Sequence, residues 1–140
     1  MDADLRTRLT AAAAAVRAHA HAPYSGFAVG AALLDDEGRI HVGCNVENAA
    51  YPQGLCAEAA AIGAMVAAGG RAIVAVALVA GQGRPATPCG GCRQRLNEFA
   101  DADTPVHVCG PEGLRKTFTL GELLPGAFGP RNLDQDPTAK

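Results

Sequence analysis

The 140-residue chain has no tryptophan, two tyrosines and four phenylalanines, which excludes a core built around large aromatic rings. Hydrophobic residues still make up 49% of it, drawn largely from Ala, Val and Leu, and predict a core of small aliphatic side chains. An excess of charge is missing too. A formal net charge of −2 leaves no electrostatic footprint for a nucleic-acid backbone or an anionic membrane, and a small neutral substrate fits better than a polyanion. Long apolar runs are also absent: the longest aliphatic stretch, Ala72 to Ala80, falls far short of the roughly 20 residues of a membrane helix. The alanine-rich N-terminus is interrupted by Arg17 and His19 and has no apolar segment behind a basic one, which predicts a soluble, cytoplasmic protein. Length and the lack of repeats predict one domain over residues 1–140.

Five cysteines, an odd number, do not suit a disulfide framework and point to a reducing compartment. Three of them stand at metal-ligand spacing, in Cys56-Ala57-Glu58 and Pro88-Cys89-Gly90-Gly91-Cys92. The C-x-x-C spacing lets Cys89 and Cys92 reach one ion, and Cys56 supplies a third thiolate. A zinc ion with three protein ligands keeps a position open for water, as hydrolytic chemistry requires. With three thiolates available, Glu58 is better cast as the carrier of a proton from that water than as a ligand. A C-x-x-C alone is ambiguous between redox, structural and catalytic roles; joined to an upstream Cys-x-Glu it matches the pattern of zinc deaminases. Cys44 and Cys109 are expected to be ordinary buried thiols.

Along the chain, Asp2 or Asp4 is positioned to cap a helix reaching about His19, which Pro23 and Gly26 end. Apolar residues from Phe27 to Leu34 predict a buried strand, Asp35-Asp36-Glu37-Gly38 a tight turn, and Arg39 to about Asn45 an antiparallel partner. Val46 to Leu55 reads as a loop, Cys56 to about Ala68 as a helix, and Ile73 to Val79 as a central strand buried on both faces. A further helix over Cys89 to about Phe99, strands over Pro105–Cys109 and Leu114–Thr119, and a short helix at Leu120–Leu124 follow, with an irregular tail over about 130–140. The sum is a three-layer α/β/α domain with a mixed sheet of about five strands.

Three further blocks join the two cysteine motifs. Pro23-Tyr24-Ser25-Gly26-Phe27-Ala28-Val29-Gly30-Ala31-Ala32, Asn45-Val46-Glu47-Asn48-Ala49-Ala50-Tyr51, Cys56-Ala57-Glu58, Pro88-Cys89-Gly90-Gly91-Cys92-Arg93-Gln94 and Leu123-Leu124-Pro125-Gly126-Ala127-Phe128 occur in this order, and together they resemble the small, homotetrameric cytidine deaminases. The resemblance implies Zn²⁺ on Cys56, Cys89 and Cys92, with Glu58 as proton shuttle. It further implies ribose recognition by Asn45 and a buried Glu47, aromatic walls from Phe27 and Phe128, and a Tyr51 lent to a neighbouring subunit. The Ala57 N–H is implied to hold the base carbonyl and the Thr87 carbonyl to meet the leaving amino group. The implied reaction converts cytidine and 2′-deoxycytidine to their uridine counterparts plus ammonia, in pyrimidine salvage.

The chain departs from the family pattern at Ala59, where an arginine ordinarily offsets thiolate charge. Helix-terminal N–H groups, with Arg93, are the expected substitutes. Rival readings are deamination of another cytosine-bearing compound such as blasticidin S, a zinc-stabilised module without catalysis, and polynucleotide editing, which the mild acidity disfavours. His19, His21, His41 and His107 lack metal spacing, and Gly81-Gln82-Gly83 lacks the following helix that dinucleotide binding needs.

Overall fold

The computed structural model describes residues 2–81 and 83–133. Asp2, not Asp4, caps the first helix: its carboxylate accepts the Leu5 N–H at 2.8 Å, and α1 runs over Ala3–Arg17. Five strands follow, β1 (Gly30–Asp35), β2 (Ile40–Cys44), β3 (Ile73–Val79), β4 (Pro105–Gly110) and β5 (Gly113–Thr119), in the order β2-β1-β3-β4-β5. The β3–β4 pair is parallel and the other three are antiparallel, so the sheet is mixed as expected. Helix α2 (Ala57–Ala67) connects β2 to β3, α3 (Gly90–Asn97) connects β3 to β4, and α4 (Leu120–Leu123) follows β5.

Strand alternation sorts the core into two layers. On one face Ala31, Leu33, Val76, Leu78, Val106 and Val108 pack with Ala57, Ala61 and Met65 of α2 and Leu96 of α3. On the other, Ala32, Leu34, Ala75, Ala77, Val79 and Cys109 pack under Leu9 and Ala13 of α1. The architecture is therefore α/β/α, and no aromatic residue is among its fully buried side chains. β3 is buried along both faces except at Val74.

The first strand begins later than its apolar run. Asn45 explains the difference: its Oδ1 accepts the Val29 N–H at 2.9 Å and its Nδ2 donates to the Phe27 carbonyl at 2.8 Å. The Arg17 Nε–H takes the Ala28 carbonyl at 2.9 Å. Side chains thus satisfy backbone groups of 27–29 that a ladder would otherwise pair. At the β1–β2 turn the buried Asp35 carboxylate accepts the N–H groups of Glu37 and Arg39 at 2.9 Å and the Arg39 Nε–H at 2.8 Å, and meets His41 Nε2 at 2.8 Å. Burial opposes its charge, yet the bonds from His41, Arg39 and Glu37 hold its pKa well below the ordinary carboxylate value. Cys109 is buried as expected, whereas Cys44, at the end of β2, is only half-buried. The tail is more regular than expected at Pro130–Leu133, a short 3-10 turn in which Asn132 Oδ1 accepts the Gly129 N–H at 2.8 Å; residues 134–140 lie outside the described residues.

Candidate active site

Two helix N-termini meet over one face of the sheet. Cys56 is the N-cap residue of α2 and Cys89 that of α3, each extended in backbone, and Cys92 lies one turn into α3. The run Ala57-Glu58-Ala59-Ala60-Ala61 after Cys56 favours a helix start there, whereas α3 opens on Gly90-Gly91 and owes its start to its surroundings rather than to propensity. Gly43 of β2 lets α2 come close: a Cβ at that position would stand 2.6 Å from the Ala57 carbonyl oxygen and 2.8 Å from the Ala60 carbonyl carbon. The first turn of α2, which carries Glu58, is therefore seated directly on the backbone of β2.

The three cysteine sulfurs lie within 4.8 Å of one another, with Cys56 Sγ to Cys89 Sγ at 3.9 Å. Tetrahedral zinc with Zn–S bonds of about 2.3 Å needs sulfurs roughly 3.8 Å apart, so the donor set fits that ion in both chemistry and spacing. Glu58 is 5% exposed and faces this cluster. Burial raises its carboxyl above the ordinary range, opposed by its own backbone N–H, the Cys92 thiol and the charge of Arg95. Burial likewise pushes the Cys56 and Cys92 thiols up, with the Cys89 charge adding at Cys56 and the Glu58 charge at Cys92. Cys89 goes the other way: although burial opposes it, the Cys92 backbone N–H and the thiols of Cys92 and Cys56 favour its thiolate.

A cavity of about 220 Å³ opens onto the cluster, lined by Phe27, Val29, Asn45, Cys56, Ala57, Glu58, Leu78, Ala86, Thr87 and Cys89. Seven sequence-predicted residues thus share one space: Phe27, Asn45, Cys56, Ala57, Glu58, Thr87 and Cys89, with Cys92 buried at the metal cluster. Glu47 and Tyr51 instead line a neighbouring cavity of about 350 Å³ with Tyr24, Ser25, Asn48 and Gly54. Glu47 is half-buried rather than buried, and its carboxylate already accepts the N–H groups of Tyr24 (2.9 Å) and Ser25 (3.1 Å) and the Ser25 hydroxyl. The Ser25 hydroxyl, first among those bonds, pulls the Glu47 pKa below its ordinary value. Phe128 stays outside both cavities; its carbonyl is held by Gln94 Nε2 at 2.7 Å and Asn97 Nδ2 at 3.1 Å of α3, and its ring is exposed.

Arg93 does not reach the sulfurs. Its guanidinium donates to the Pro88 carbonyl (2.7 Å), the Leu123 carbonyl (2.8 Å) and Thr87 Oγ1 (2.9 Å), tying the loop that carries Thr87 and Cys89 to α3 and α4. The expectation that Arg93 offsets thiolate charge is therefore corrected: it is a strut. Arg95, which sequence reasoning passed over, approaches instead, with Nη1 at 3.5 Å from Cys92 Sγ. The signal was present, since Arg95 stands three residues after Cys92 and shares its helix face.

An α/β/α sheet presenting three cysteines and a buried glutamate at two facing helix N-termini defines the class of metal-centred hydrolytic deaminases. The family model described as the cytidine and deoxycytidylate deaminase zinc-binding region matches residues 4–108, and the chain belongs to that family. A cytidine deaminase of Sporosarcina psychrophila is 43% identical over 126 residues, spanning 90% of this chain and 93% of that protein. One of Mycobacterium tuberculosis is 44% identical over 133 residues, 94% of this chain and 92% of its own. The crystal structure of cytidine deaminase from Burkholderia pseudomallei superposes with a TM-score of 0.83 at 41% identity, covering 91% of this chain and all of that one.

Proposed function

We propose that the chain catalyses hydrolytic deamination of cytidine and 2′-deoxycytidine to uridine and 2′-deoxyuridine with release of ammonia. The observation that carries this reading is the three-sulfur cluster facing buried Glu58 across a cavity of nucleobase size. The names of the similar proteins support the substrate. Cys56, Cys89 and Cys92 hold the zinc, which when bound supplies the Lewis acidity that makes water nucleophilic near neutral pH. Glu58 accepts the proton that water sheds as its oxygen bonds to C4, delivers that proton to N3 of the base, then takes the proton of the new C4 hydroxyl and hands it to the amino nitrogen as the C4–N bond breaks and the C4 carbonyl forms. Its buried position keeps bulk water from competing for that proton.

The Ala57 N–H donates to the base carbonyl, the Thr87 carbonyl meets the departing amino group, and the Phe27 ring walls the base. Asn45 and Glu47 receive the sugar. A carboxylate offers about four lone-pair sites, and the bonds from Tyr24 and Ser25 leave Glu47 roughly one for a hydroxyl. Tyr51 and Phe128, exposed at 75% and 55%, complete sites of neighbouring subunits in a homotetramer. Among the described residues no helix is long and apolar enough to cross a membrane, in keeping with a cytoplasmic single domain working in pyrimidine salvage.

The decisive assay is ammonia release from cytidine by the purified wild type with Glu58→Ala beside it. Turnover in the first and its loss by several orders of magnitude in the folded, zinc-loaded second is expected. Absence of turnover in a zinc-loaded wild type refutes the substrate assignment.

A further inference from the structure

We propose that Arg95 is the positioning cation of the metal cluster, the group whose charge holds the three cysteines ready to bind zinc; this rests on the zinc reading above. Three thiolates around Zn²⁺ sum to a net charge of −1, and a neighbouring cation is the ordinary means of stabilising such a set. Ala59, on the first turn of α2, carries no charge to do so. Arg93 is spoken for by two carbonyls and a hydroxyl. Arg95 alone, among the hydrogen-bonded cations of the described residues, points at a cluster sulfur, Nη1 to Cys92 Sγ at 3.5 Å.

The neighbouring positions make room for this contact. A Cβ on residue 91 would stand 3.3 Å from the Arg95 Nη1 atom, so Gly91, between the two ligands of α3, leaves the guanidinium space to lie over them. The guanidinium stays solvent-exposed and makes no ion pair with a carboxylate among the described residues, so the sulfur is the partner its position serves. The fixed planar fork also matters: a guanidinium can direct one N–H at sulfur while the others remain hydrated, whereas a lysine ammonium carries the charge without that geometry.

The test is competition for zinc between a chromophoric chelator and the full-length wild type, Arg95→Met and Arg95→Lys, at low and at high salt. Removing an outer-shell partner of a metal ligand costs about 10–100-fold in affinity, and an exposed guanidinium belongs at the low end, so Arg95→Met is expected to bind zinc roughly tenfold more weakly. Arg95→Lys recovers part of the loss, and the gap narrows at high salt because the charge is exposed. Met at position 95 is helix-compatible, and unchanged circular dichroism of the metal-free proteins checks that folding is not the cause. A wild type that takes up one zinc per chain, loses it in Cys89→Ser, and matches Arg95→Met within about twofold overturns the Arg95 assignment while leaving the zinc reading intact. Zinc uptake that Cys89→Ser leaves untouched overturns both.

Discussion

Replacing Gly43 by alanine tests whether the seat of α2 sets the chemistry. The added Cβ would lie 2.6 Å from the Ala57 carbonyl oxygen and closer still to the Ala61 nitrogen, where ordinary contact begins at 3.4 Å, so strand and helix must separate by about 1 Å. Neither partner can rotate away, because the atoms in the way belong to the backbone of α2. Overpacking of this kind costs about 1–3 kcal/mol, and a clash of backbone on backbone belongs at the upper end. For a domain of this size that corresponds to a fall in Tm of roughly 6–12 °C. The displaced segment is Ala57 to Ala60, so Glu58 moves with it, and a misplacement near 1 Å costs about 10²-fold in rate. The assay is a thermal melt alongside kcat/KM for ammonia release, with Gly63→Ala as companion. Gly63 lies within α2 itself, yet nothing lies within 4 Å of its added Cβ, so that change should raise stability by about 0.5–1 kcal/mol and leave turnover intact. A Gly43→Ala protein that melts within a degree of wild type and turns over normally refutes the reasoning.

Asp35 has a depressed folded pKa, so its stabilisation is present above the ordinary carboxylate value near 4 and drains away as pH falls below it; the unfolding free energy of Asp35→Asn from urea titration should lie about 3 kcal/mol below wild type at neutral pH and show a flatter acid limb. Arg93→Ala frees two carbonyls and a hydroxyl at once, and about 2–3 kcal/mol of stability and much of kcat should go with them, with Arg93→Lys a poor rescue because one ammonium cannot replace the fork. Thr119→Ala removes a capping box at α4, in which Thr119 Oγ1 accepts the Glu122 N–H and Glu122 Oε1 the Thr119 N–H; calorimetry should register about 1 kcal/mol with no change in KM.

The metal cluster and Glu58 were legible because a few residue types at fixed spacing admit little other chemistry, although neither Cys56 nor Cys89 caps its helix with a side-chain hydrogen bond. Sheet and layers were legible for a related reason: alternation along Ala31–Leu34 and Ala75–Val79 assigns each side chain to a face without reference to anything distant. What escaped depends on contacts between remote segments. Nothing near Phe27 announces that the Asn45 amide will take its carbonyl and displace the start of β1 by three residues, from Phe27 to Gly30. Nor does the sequence around Glu47 reveal that Ser25, far upstream, occupies most of its acceptors. Arg93 and Arg95 are the instructive pair. Both lie on one short helix, and only the angle at which each leaves it decides that the first braces a loop and the second meets sulfur.

Two strand glycines set among larger core side chains are a physical condition for the site itself. Helices seated on Leu or Phe stand off a sheet by the depth of those side chains, whereas Gly43 beneath α2 and Gly30 beneath α1 let backbone approach backbone. Close seating fixes helix position through hard contacts, which transmit displacement without slack. Of the six aromatics only Phe99 and Phe118 pack against the core; Tyr24, Phe27, Tyr51 and Phe128 are all about half-exposed or more, and the first three line the two cavities. Exposed rings grouped in this way are costly for an isolated monomer unless something covers them. The homotetramer proposed above, in which Tyr51 and Phe128 complete neighbouring sites, would remove that cost by covering both rings.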